Sequence, residues 1–89
     1  MGEMSKAEVV AQLLKNGNAP DQAQLYADVF MEYREATANI EKNGLIVAHP
    51  RTGQPMKNPY VEIRDSALRK FQTMRHIKAA GLWPAGMGE

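Results

Sequence analysis

Two helix boundary signals, Asn43-Gly44 and Asn58-Pro59, stand with a connector between them, and they constrain this chain more than any other feature. Glycine accepts the left-handed conformation that closes a helix. Asn followed by Pro supplies an N-cap and a first-turn residue whose missing N–H is not needed. On the upstream side Tyr26, Val29, Phe30, Tyr33, Thr37 and Ile40 recur at steps of three and four. Downstream, Tyr60, Ile63, Ala67, Phe71 and Met74 do the same, with Leu68 and Ile77 widening the stripe. These periods predict helices over 20–43 and 59–80, packed as an antiparallel hairpin of nearly equal arms. Pro20 and Asp21 suit the start of the first arm, which at roughly 23 residues would reach about 34 Å. Gly81 is expected to stop the second arm, with Leu82 folding back on its last turn and Pro84 forbidding continuation.

A shorter helix is expected over 5–15. Ser5 and Glu8 have capping-box spacing, Val9, Val10, Leu13 and Leu14 form an apolar face, and Asn16-Gly17 is a stop. Three turns are not stable alone, so this element must dock. Within the connector, 44–58, Leu45 to Ala48 has strand character and Thr52-Gly53 marks a turn. Either a small β-ribbon or a tightly folded loop fits. A helix connection of this length that is not simply polar is usually functional. The expected fold is therefore all-α: one domain over 1–89, a short N-terminal helix, then a long helical hairpin with an extended connector.

A single small domain leaves a large share of its surface exposed, and its own core is marginal. Apolar faces on both sides of the arms ask for cover by further copies. The stripe residues Tyr26, Phe30, Tyr33, Ile63, Phe71 and Met74 are accordingly expected in the core or at a subunit contact rather than as a base-stacking platform.

Charge is unevenly divided. Residues 1–43 carry four Lys/Arg against seven Asp/Glu, net −3, and residues 44–89 carry seven against three, net +4. That asymmetry suits an acidic partner for the second half or head-to-tail pairing between copies. The chain has no cysteine, which removes disulfides and thiolate metal sites. His49 and His76 are its two histidines and lie far apart in sequence, so no metal or cofactor site is expected. Neither a phosphate-cradling glycine loop nor a nucleophile with a paired base is present, and no catalytic residue is assigned. No run is apolar enough for a membrane span, and the opening MGEMSK has Lys6 where a myristoylation signal wants Ser or Thr. The expected compartment is cytoplasmic.

The order of parts resembles a known family. A Tyr- and Ala-rich helix, then EKNGLIV, a variable turn, and KNPYVEIRDSALRKFQTMRHIKAAGLWP with its Asn58-Pro59 start and Gly81-Leu82-Trp83-Pro84 close, is similar to the small terminase subunit of tailed phages and prophages. The resemblance covers roughly residues 22 to 84. It implies a DNA-packaging recognition protein in the bacterial host's cytoplasm that forms a homo-oligomeric ring and binds double-stranded viral DNA. It also implies regulation of a large terminase subunit that holds the ATPase and nuclease. Two features depart from the family pattern: a single helix at 5–15 is no helix-turn-helix, and only Ala85 to Glu89 follow the Pro84 close.

Candidate DNA contacts are the basic residues of the second half. Arg64, Arg69, Lys70, Arg75 and Lys78 are expected on the third helix, spread over more than one face, and Arg51 and Lys57 flank the connector turn. Phosphate contact, multiplied by ring symmetry, is one reading. A solvated face pairing with the acidic helix of a neighbour is the other. Trp83 is expected to anchor the chain end against the hairpin or a neighbouring subunit. Two rival functions stand beside DNA packaging: a small helical DNA-binding regulator, and a structural adaptor oligomer without nucleic acid.

Overall fold

A computed structural model describes residues 3–87 and contains three helices and a two-stranded sheet, in the order α1 (Lys6–Lys15), α2 (Pro20–Asn43), β1 (Ile46–Ala48), β2 (Pro55–Lys57) and α3 (Pro59–Gln72). The fold is mostly helical but not all-α, because the connector forms an antiparallel ribbon. The reading of MGEMSK as no acylation signal turns on Met1 and Gly2, which lie outside the described residues.

The capping box forms as its spacing predicts. Ser5 N donates to Glu8 Oε1 at 2.8 Å, and Glu8 N donates to Ser5 Oγ at 3.2 Å. Val9 and Leu13 of α1 are buried against α2. Gly17 takes a positive φ of 104°, which lets the chain reverse within a few residues into Pro20, the first residue of α2.

α2 runs the expected length and closes on Gly44, at φ 88°, whose N–H bonds back to Ile40 O at 2.7 Å. α3 lies antiparallel to it. Asn58 bonds Asn39 at the start of α3, Lys70 meets Glu32 from its last turn, and His76 meets Gln22 beyond its end.

The second arm is shorter than its periodicity predicts. α3 ends at Gln72, not near residue 80, so the arms are unequal. The Thr73 hydroxyl donates to Lys70 O at 2.7 Å, and Thr73 N, Met74 N and Ile77 N each bond three residues back. Such i→i−3 bonds wind the chain to about three residues per turn, so side chains three apart line up. Phe71, Met74 and Ile77 therefore stay on one side while the chain leaves the helix. The segment after Thr73 then folds across α1 and α2, burying Met74, Ile77, Ala79 and Leu82.

The core lies toward the α1 end. Val9, Leu13, Ala23, Tyr26, Ala27, Val29, Ala67 and Phe71 join those four tail residues in one cluster, and the ribbon contributes nothing to it. Tyr26 and Phe71 sit at its centre with ring centroids 5.2 Å apart, and Trp83 stands edge-on to Tyr26 at 5.4 Å. Tyr33 meets Phe71 edge-on at 5.8 Å. Each such aromatic pair adds about 0.5–1.5 kcal/mol beyond its buried area. The chain end is thus fastened by Trp83, as its position after the helix stop predicts.

Candidate nucleic-acid interface

Three asparagines absent from the sequence-derived contact residues, Asn16, Asn18 and Asn58, hold the frame on which the basic residues sit. Asn18 Nδ2 donates to Leu13 O and to Lys78 O, both at 2.8 Å, and its Oδ1 accepts from Lys78 N at 2.9 Å. Asn16 Nδ2 reaches the same Lys78 carbonyl at 3.2 Å. This clamp fixes the backbone of Lys78 while its side chain stays exposed. Asn58 is a buried polar residue, at 2% exposure. Its Oδ1 accepts from Tyr60 N to cap α3, and its Nδ2 donates to Asn39 Oδ1 and to Gly44 O. The ribbon, α2 and α3 are joined at that side chain. The run Asn16-Gly17-Asn18 is the sequence signal for the first clamp, but its partner sixty residues away is not.

Tyr26 makes the third long-range tie, donating its hydroxyl to Leu82 O at 2.6 Å. Burial pushes its phenol well above the usual tyrosine range, so it remains a neutral donor.

The basic residues do not converge on one patch. Arg51 lies at the ribbon turn, exposed, its backbone N–H bonded to His49 Nδ1 at 3.1 Å. Lys57 pairs with Glu62 at 3.0 Å and Lys70 with Glu32 at 3.5 Å. Arg64 is half-buried and its Nε lies 3.2 Å from Asp65. Arg75 is engaged by the chain end: Nη1 donates to Met87 O at 2.6 Å, and the guanidinium lies 5.5 Å from the Trp83 ring centroid. Among the described residues Arg51, Arg69 and Lys78 make no salt bridge, and they stand at the ribbon, in the last turn of α3, and at the α1 end.

The sequence-derived contact residues divide as well. Tyr26, Phe71 and Met74 are consumed by the chain's own core, which removes them from any surface. Phe30 and Tyr33 are half-buried against that core, and Ile63 is exposed in a shallow groove between α2 and α3, lined also by Glu32, Glu62, Ser66, Arg69 and Lys70. Leu14 and Leu25 are exposed near the α1 end, and Leu45 and Ile46 near the ribbon.

No group of three or more His, Asp or Glu side chains among the described residues could hold a metal ion. None of their helices is long and apolar enough to cross a membrane. What the surface offers chemically is cations on an elongated body, 49 Å in its longest extent, with apolar side chains between them.

The family model for phage terminase, small subunit, matches residues 8–85, nearly the whole chain. The chain belongs to the phage terminase small-subunit family. No curated protein and no solved structure matches it. Membership puts the chain in phage DNA packaging, within a family that is generally regulatory rather than catalytic. The matched span runs from α1 through the Trp83 anchor, so the small-subunit pattern includes the tail that completes the core.

Proposed function

We propose that this chain is the DNA-recognition subunit of a phage packaging machine: it assembles into a ring, binds double-stranded viral DNA through its basic second half, and regulates a large terminase subunit in the host cytoplasm. The family match over residues 8–85 carries this reading. The distribution of cations supports it. Arg51, Arg69 and Lys78 are exposed without an ion-pair partner among the described residues, and repetition around a ring turns three scattered charges into a continuous basic track. Lys57, Lys70 and Arg64 join that track by leaving their carboxylates. Solvated pairs of this kind are worth only about 0–1 kcal/mol, so phosphate competes for them easily. Arg75 contributes only if the chain end lifts from it.

Copies pack through the surface left outside the core. The exposed Ile63 of α3, the half-buried Phe30 and Tyr33, and the exposed Leu14 and Leu25 are the apolar side chains available, with Tyr26, Phe71 and Met74 supporting them from beneath.

Light scattering at low and high salt tests the assembly, and binding to duplex DNA across a salt series tests the partner. The expected result is a multimer that survives high salt and an affinity for DNA that falls steeply as salt rises. A salt-labile oligomer indifferent to DNA would favour the adaptor reading instead. A dimer that protects a defined short site would favour a DNA-binding regulator.

A further inference from the structure

The two edges of the ribbon are chemically different. In an antiparallel ladder, hydrogen-bonded and non-bonded residue pairs alternate. His49 N donates to Gln54 O and Asn58 N to Leu45 O, each at 2.8 Å, which makes Val47 and Met56 the bonded pair between them. Ile46 with Lys57, and Ala48 with Pro55, are then the non-bonded pairs, whose N–H and C=O groups point away from the ribbon. On the β2 edge Pro55 has no N–H to offer and Lys57 brings a charge, both devices that blunt a strand edge. The β1 edge carries neither. Leu45, Ile46, Val47 and Ala48 are uncharged, Leu45 is 56% and Ile46 62% exposed, and no other backbone group of the described residues bonds to Ile46 or Ala48.

We infer that the β1 edge is an interaction surface for a second copy of this chain, pairing β1 with β1 in antiparallel fashion about Val47 to make a four-stranded sheet. The edge is self-complementary in that register. The outward groups of Ile46 face those of the partner's Ala48, and the reverse, so two bonded pairs flank a non-bonded Val47 pair. Each exposed Ile46 side chain then lies beside a small Ala48, and no like charges meet. Pairing of β1 with the β2 edge of a neighbour is disfavoured by Pro55 and Lys57. The contact is two-fold and cannot itself close a ring, so it joins copies pairwise in addition to any ring contact. Three-residue strands make it weak between single copies, and repetition within a larger assembly strengthens it. This inference does not depend on DNA binding.

The chain lacks cysteine, so Val47→Cys introduces a single thiol. Non-bonded antiparallel pairs place Cα atoms about 4.5 Å apart, within disulfide range. With oxidised glutathione, Val47→Cys is expected to run mainly as a covalent dimer under denaturing conditions. Met56→Cys, whose thiols would lie roughly 14 Å apart across the sheet, stays monomeric. Adding Ala48→Pro removes an outward N–H without touching the β1–β2 ladder, and is expected to abolish the crosslink at unchanged helix content by circular dichroism. If Ala48→Pro lowers helix content, Ile46→Lys makes the same test by placing charge on the edge. The inference is overturned by equal crosslinking of Val47→Cys and Met56→Cys, by a crosslink that survives the edge variant, or by an adduct to a different protein in place of a second copy.

Discussion

The two ends of this molecule are built on different physical terms. At the α1 end three segments distant in sequence converge on Tyr26 and Phe71, and both side chains are fully buried. At the other end the ribbon stands outside the core, held to the helices chiefly through Asn58 and showing Leu45 and Ile46 to solvent. One end stabilises by burial and the other by directional bonds at a single polar side chain. A small chain that concentrates its core in this way leaves its far end free to be shaped for contact.

The largest effect expected from breaking that contrast is at Phe71. Phe71→Ala removes a ring that meets Tyr26, Tyr33 and Trp83, and leaves a cavity that the helices cannot close. A loss of about 3–5 kcal/mol follows, a large part of the stability of a small domain. Thermal unfolding read by circular dichroism should show a much lowered midpoint.

At the opposite end Asn58→Ala removes the α3 cap and both amide bonds, leaving the Asn39 side chain and the Gly44 carbonyl unsatisfied. The expected cost is about 2 kcal/mol. Hydrogen exchange should locate this loss in the ribbon and the first turn of α3, with amides around Tyr26 keeping most of their protection. Uniform loss along the chain would show that the two ends are one cooperative unit.

Tyr26→Phe separates the ring from its hydroxyl. The Leu82 carbonyl loses its donor, which costs about 1–2 kcal/mol at neutral pH. The pH dependence has a definite sign. Burial raises the folded phenol above its ordinary value of 10.0, so between that value and the folded one the unfolded chain has released a proton that the folded chain retains. Stability contributed by Tyr26 is present below pH 10 and falls as pH rises beyond it. Chemical denaturation at pH 8 and pH 11 should show a larger decline for the wild type than for Tyr26→Phe.

What the sequence shows of these ends follows from how local the causes are. The Ser5-Glu8 box, Pro20, Gly44 and Asn58-Pro59 act within a few residues, and α1, α2 and the start of α3 lie where these signals put them. The end of α3 is misread because the three-residue spacing of Phe71, Met74 and Ile77 suits an α-helix and a tighter turn equally. The second strand is hidden because Pro55 reads as a strand breaker, although at a non-bonded edge position its missing N–H costs nothing. The Asn18 clamp on Lys78 and the Tyr26 bond to Leu82 span more than fifty residues and have no local signature. The contact residues suffer from the same limit: an apolar stripe does not distinguish Tyr26, which the core takes, from Ile63, which it leaves outside.

The smallest effect on stability, and the one that sharpens the comparison most for function, belongs to the unpaired cations. Arg51 and Lys78 stand at opposite ends of the molecule, and Arg69 lies in the last turn of α3. Each changed to Gln should alter stability by no more than about 0.5 kcal/mol, because no ion pair among the described residues is lost. Binding to duplex DNA should respond differently. A residue in contact with phosphate lowers the salt slope of log affinity by about 1 when it is removed, and one outside the contact leaves the slope unchanged. If DNA lies along the length of the subunit, all three variants reduce the slope. If only Arg51 does so, the ribbon end carries the contact, and the sheet edge and the DNA surface then share one end. A response confined to Lys78 would instead place DNA at the core end, where the Asn18 clamp holds that residue's backbone in place.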